Sequence, residues 1–298
     1  MKTSNKNIVV ISTITLFIVV GVIIISPIKD VQAHDTDWNW TVDSDCINAS
    51  GRYVCNIPAD AKTAHVLIPD LREAIPQQIG LQNAHQKTTL RISTSVANTG
   101  DGQWQMRSEN PATQELPQLA KQQLLLSDGT LWKEYTVSQF EYHPAHKHFH
   151  IAAVTSYELY TATGSSDTEP ITKTNIGSQK VTFCLIDWIK ISDNSPNNER
   201  AYSNCDGQFQ GVSPGWMDQY HQELEGQELD VTNVPTGYYF LVVTANPEHN
   251  FIEKDFTNNQ AWILIHYNND DKGNPKLEIL NQSECLDYPG LCKYSPNR

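Results

Sequence analysis

The stretch Glu141 to His150, EYHPAHKHFH, places four histidines within eight residues. Three of them, His146, His148 and His150, recur at every second position, and an extended chain turns such positions to one face. The spacing therefore predicts three imidazoles on one side of a strand. On a helix they would fan out and could not meet one ion. The residues that follow, FHIAAVTSYELY, are rich in the β-branched and aromatic types that favour strands. His143 has the opposite parity, and Pro144 after it leaves its direction open. Three imidazoles suit Cu(II), Zn(II) or non-haem iron, and nitrogen-rich sites bind copper most tightly in the divalent series. A redox centre and a zinc hydrolase are both open at this point.

A strand needs neighbours to hold it. Strand-like alternation recurs in LRISTSVAN from Leu90, KVTFCLID from Lys180, GYYFLVVTAN from Gly237 and AWILIHY from Ala261, with Gly, Pro, Asn and Asp clusters between them. This pattern predicts an all-β fold, an antiparallel β-sandwich with long loops and few short helices. The stretch from about Ile189 to Gln219 reads as one unusually long loop, and the polar residues after about Asn268 read as a loop-like tail. The expected layout is a leader over 1–33, a polar segment over 34–65, a main domain over 66–270 and a tail over 271–298.

The chain has 298 residues, 39% of them hydrophobic, enough to bury a sizeable core. Two lysines in MKTSNKN precede an apolar run from Ile8 to Ile25, and the small-residue pattern Val31-Gln32-Ala33 follows. This reads as a signal peptide. The run would span about 27 Å as a helix and could instead serve as an anchor. Either reading places the rest outside the cytoplasm. Six cysteines fit such a compartment and fall into three local pairs: Cys46 with Cys55, Cys184 with Cys205, and Cys285 with Cys292. None forms a CxxC, so disulfides are expected rather than a zinc knuckle. A net charge of −13 argues against nucleic acid, whose phosphates need a basic footprint, and favours cationic partners. Asn39, Asn48 and Asn281 lie in N-x-S/T sequons.

The segment HPAHKHFH resembles the copper-binding segment of the lysyl oxidase family, and further motifs follow in the family's order. In QKVTFCLID, Lys180 is similar in position to the family's cofactor lysine, and in GVSPGWMDQY, Tyr220 is similar to its cofactor tyrosine. VTNVPTGYYFLVVTANP and IEKDFTNN complete a resemblance that covers roughly residues 66 to 270. It implies copper held by His146, His148 and His150, and a lysine tyrosylquinone made from Tyr220 and Lys180, with no external organic cofactor. The implied reaction is oxidative deamination of a primary amine, a lysine side chain or a small amine, by molecular oxygen. The products are an aldehyde, ammonia and hydrogen peroxide. Asp187, Asp218 and His143 are candidates for the general base that such a step requires.

The resemblance also implies a calcium site from the oxygen-rich Glu253, Asp255, Asn258 and Asn259, completed by Asp70-Leu71. Departures exist: Ala145 stands where animal members carry a cysteine, Met217 replaces a tyrosine, and an aromatic-rich WEW becomes QFEY. These put matrix substrates in question and leave the metal and quinone chemistry standing. The competing readings are a non-enzymatic extracellular metal-binding module and a zinc hydrolase.

Overall fold

A computed structural model describes residues 55–285, except for the side chains of residues 178–180. The leader, Asn39, Asn48, Cys46, Cys292 and the Lys180 side chain therefore lie outside the described residues. Sixteen strands run through the described part. In chain order they are β1 (Val66–Leu67), β2 (Leu71–Glu73), β3 (Gln77–Ala84), β4 (Lys87–Asn98), β5 (Trp104–Arg107), β6 (Gln118–Leu126), β7 (Leu131–His143) and β8 (His148–Ala162). The second half comprises β9 (Thr172–Phe183), β10 (Ile189–Lys190), β11 (Phe209–Val212), β12 (Trp216–Tyr220), β13 (Glu228–Asp230), β14 (Gly237–Ala245), β15 (Gln260–Asn269) and β16 (Pro275–Gln282). No helix is present among the described residues, and so none long and apolar enough to cross a membrane.

Two antiparallel sheets form. The larger has ten strands in the order β11-β5-β6-β7-β8-β14-β15-β16, with β1 added to β6 and β9 to β8. The smaller has six, β10-β12-β4-β13, with β2 and β3 also on β4. One apolar core draws on both: Ile92, Val96 and Trp216 from the smaller sheet meet Trp104, Phe140, Val154, Phe183 and Leu241 from the larger. The all-β sandwich expected from the sequence is thus the observed architecture.

The middle of β8 is buried almost throughout, as is β14 beside it, because both are covered on two faces. β8 is also bent. Its register against β9 slips between Ile151 and Thr155, and Ala153 there adopts a φ of 58°. Such a bulge turns a strand. The first residues of β8 accordingly pair with β7, and residues 155–162 pair with β14.

Three elements differ from the sequence reading. The stretch from Ile189 to Gln219 is not one loop, since β10, β11 and most of β12 lie within it. These strands have two to five residues each, too short for alternation to register. The polar tail is also partly ordered as β16, an edge strand on β15, whose mostly exposed side chains explain its polar look. Finally, Asp128-Gly129 closes a β6–β7 hairpin that the alternation did not mark, with Gly129 at φ 84°. The Cys184–Cys205 disulfide forms as expected, and Cys55 and Cys285 are disulfide-bonded as well.

Candidate active site

The histidines sit on the β7–β8 hairpin. His143 ends β7, His148 opens β8, and the two pair across the ladder. His146 is in the turn between them rather than on the strand. Pro144 cannot donate to a ladder, and Lys147 takes a φ of 59°, so the chain reverses where simple alternation would have continued. The three alternating rings still converge: His146 Nδ1 lies 3.1 Å, and His148 Nε2 3.0 Å, from His150 Nε2. His150 Nδ1 is 2.8 Å from Thr182 Oγ1 on β9, a hydroxyl that serves as the acceptor when the ring proton is on Nδ1. The single lone pair of Nε2 then faces two ring nitrogens and, at 3.3 Å, the Tyr220 hydroxyl. One lone pair can accept one such donor well.

A shared cation would relieve that crowding. Nitrogens about 2.0–2.1 Å from a common metal stand about 3 Å apart at right angles, the separation seen here. Buried His146 Nε2 has no hydrogen-bond partner among the described residues. Burial pushes His146 and His148 down from the usual histidine pKa; the Glu225 carboxylate opposes it at His146, and His146 adds to it at His148. Neutral rings are the form that binds metal.

A second triplet, His143, His146 and His150, also has ring nitrogens within 4.8 Å of one another. His143 is stacked face to face on His146 and His150, with planes only 28° and 22° apart. Lone pairs lie in the ring planes, so near-parallel rings aim theirs side by side. The rings of His146, His148 and His150 are mutually tilted by 36–51°, which lets them point at one ion. His148 also lies near both sulfurs of Cys184–Cys205, but a disulfide has no thiolate to offer a metal.

Tyr220 arrives from the opposite sheet. On β12, Trp216, Asp218 and Tyr220 share one face, which is buried. The Tyr220 ring stacks on Phe183 at 4.0 Å, and its hydroxyl accepts the Cys184 N–H at 2.7 Å. Its remaining lone pair and proton face His150. Burial, with Asp218 nearby, raises the phenol pKa well above the ordinary value. The disulfide links this support to the histidine strand, because the Cys205 carbonyl accepts the Phe149 N–H at 3.1 Å. The backbone of Lys180 lies on β9, two residues before Thr182.

The two aspartates differ. Asp187 is fully buried and accepts four hydrogen bonds, from the N–H groups of Ala201, Tyr202 and Ser213 and from the Ser213 hydroxyl. Asp218 accepts from Gln219 N–H on one oxygen, and its Oδ2 has no partner among the described residues. Burial raises the Asp218 pKa well above the carboxylate range.

Sequence reasoning did not single out several groups here. Glu141 stands opposite His150 on the same face, and burial pushes its carboxyl up to about 7. Thr182 and Glu225 line the cleft over His143, His146, His150 and Tyr220.

The oxygen-rich residues also gather. Buried Glu253 accepts the Leu71 N–H and the side-chain amides of Asn246 and Asn259, and Asn258 donates to Asp70. Asp255 instead caps its own turn through Thr257. Asn258 Oδ1 and Asn259 Oδ1 are buried with no partner among the described residues. Rotating either amide exchanges nitrogen for oxygen and turns a donor into a potential calcium ligand.

An imidazole cluster on one sheet, touching a buried phenol from the other, defines a histidine-centred β-sandwich with a tyrosine in reach of the ring nitrogens. Residues 76–274 match the family model for lysyl oxidase, and the protein belongs to that family. Human lysyl oxidase homolog 1 is 35% identical over 130 residues, 43% of this chain and 20% of the relative. Human lysyl oxidase homolog 4 is 34% identical over 128 residues, 42% of this chain and 15% of the relative. Lysyl oxidase homolog 2 of Bos taurus is 30% identical over 127 residues, again 42% and 15%. The chain thus spans a fifth or less of the length of these relatives, and family membership supports an amine oxidase-like function.

Proposed function

We propose that this chain is a secreted, copper-dependent amine oxidase that converts primary amines, either lysine side chains of peptides and proteins or small amines, to aldehydes. Written in balance, RCH2NH3+ with O2 and H2O gives RCHO, NH4+ and H2O2. The observation that carries the reading is the 3.3 Å approach of the Tyr220 hydroxyl to His150 Nε2. His146, His148 and His150 would hold Cu(II), and Tyr220 with Lys180 would form the lysine tyrosylquinone. When present, these groups supply an electrophilic carbonyl and a two-electron acceptor that oxygen can restore.

The chain's own residues do the rest. Thr182, accepting the His150 Nδ1 proton, would leave Nε2 free on the metal side. Phe183 and the Cys184 N–H fix the plane and the oxygen of Tyr220. Asp218, with an open oxygen on the face of β12 that carries Tyr220, is the better placed candidate to take a proton from the substrate carbon. Asp187, saturated by four donors, holds the loops instead. Asp70, Leu71, Glu253, Asn258 and Asn259 would hold calcium as a structural ion, with Asp255 shaping the adjoining turn.

The test is a copper-loaded, aerobically prepared protein mixed with a primary amine. Amine-dependent peroxide is expected, together with a proteolytic fragment in which Lys180 and Tyr220 are joined. A folded, copper-loaded protein showing neither would be a metal-binding module. Retained zinc with hydrolytic activity would favour the hydrolase.

A further inference from the structure

The cleft contains a carboxylate that the chemistry above leaves unused. Glu225 lines it, half-buried, in the turn between β12 and β13. Its charge reaches His146, yet among the described residues it makes no hydrogen bond or ion pair. The cation beside its turn is committed elsewhere: Arg91 pairs with Glu228 and donates to the carbonyls of Gln222, at 2.7 Å from Nε, and Leu224, at 3.0 Å.

The turn is also anchored by hydrogen bonds. The Gln227 side chain accepts from the Thr94 hydroxyl at 2.9 Å and donates to Tyr157 at 2.7 Å, while its carbonyl accepts the Ile92 N–H at 3.1 Å. Gly226, at φ 85°, lets the backbone pass from this buried anchor to the cleft wall within one residue. A partly shielded charge, unpaired among the described residues, is therefore held over the histidines and Tyr220.

We propose that Glu225 is the residue that recognises the substrate's charge, accepting an N–H of the incoming primary ammonium before the amine reaches Tyr220. The inference rests on the amine oxidase reading and extends it to one residue and one contact. An uncharged molecule entering the same cleft gains no charge–charge attraction from this carboxylate, only the weaker hydrogen bond of a neutral donor.

The experiment compares wild type, Glu225→Gln and Glu225→Asp with two probes. Butylamine is a cation at neutral pH; phenylhydrazine is uncharged there and reports the reactive carbonyl directly. For Glu225→Gln, the KM for butylamine is expected to rise about tenfold, the worth of a hydrogen bond to a charged group, with kcat nearly unchanged. The rate of phenylhydrazine labelling stays at the wild-type value. Added salt lowers kcat/KM for butylamine in the wild type and has less effect in the variant. Glu225→Asp recovers part of the affinity.

An unchanged KM in Glu225→Gln overturns the proposal. So does an equal slowing of butylamine and phenylhydrazine, which would make Glu225 a shaping residue indifferent to charge. A wild-type protein without any phenylhydrazine-reactive carbonyl overturns the amine oxidase reading itself, and the role of Glu225 with it.

Discussion

Replacing Thr182 by valine removes the support behind His150 while keeping its shape. Thr182 Oγ1 sits 2.8 Å from His150 Nδ1, and both side chains are buried. Valine removes the Thr182 partner of the ring nitrogen, at a cost of about 1–3 kcal/mol. The ring can escape that cost by moving its proton to Nε2, but this tautomer has no lone pair for a metal. Losing the partner behind a ligating histidine typically lowers metal affinity by about 10–100-fold. Copper affinity of Thr182→Val, measured by competition with a chelator, is expected to fall within that range. Urea unfolding of the apo protein separates the two effects. A variant that loses stability yet binds copper as tightly as wild type would refute the tautomer argument and leave Thr182 as a packing residue.

Three other perturbations follow from the structure. Replacing Cys184 and Cys205 together by serine should lower stability by about 3 kcal/mol in urea, the chain-entropy value for a loop of this size. It should also weaken copper binding, since the bridge joins the support of Tyr220 to that of His150. Burial raises Glu73 from 4.5 to about 8, so between those values the unfolded chain has lost a proton that the folded chain keeps. Its contribution makes stability fall as pH rises through that window, by about 1.4 kcal/mol per pH unit, and level off above it. Glu73→Gln should flatten the slope by one proton, seen as a smaller pH dependence of the urea midpoint. Calcium should raise the thermal midpoint of the wild type and leave that of Glu253→Gln nearly unmoved; equal shifts in both would place any bound ion elsewhere.

The fold class and the gathering of the histidines were legible because both rest on local pattern. Strand alternation repeats along the chain, and histidine at i, i+2 and i+4 is a rare residue at a regular spacing. Even there the mechanism differed, because Pro144 and Lys147 make a turn at His146 and convergence comes from a hairpin rather than a strand face. Thr182 carried no signal, since a threonine in a strand is ordinary. It becomes the partner of His150 only through the β8–β9 pairing that sets Ile151 opposite Phe183, a register no single segment encodes. Glu225 was hidden similarly, as one acid among several in HQELEGQELD. The β6–β7 hairpin was missed for another reason: the polar residues on the outer side of QLAKQQLLL mask its apolar side, although Asp128-Gly129 was in plain view.

The histidines belong to the larger sheet and the phenol to the smaller. On the proposed reading, metal capture would draw on the β7–β8 hairpin and Thr182 of β9, all within the larger sheet. Reaching Tyr220 needs the two layers to close on each other. On that reading a partly folded chain could carry the ion without exposing its tyrosine to oxidation, and maturation of the ring would mark those molecules whose two layers have already docked.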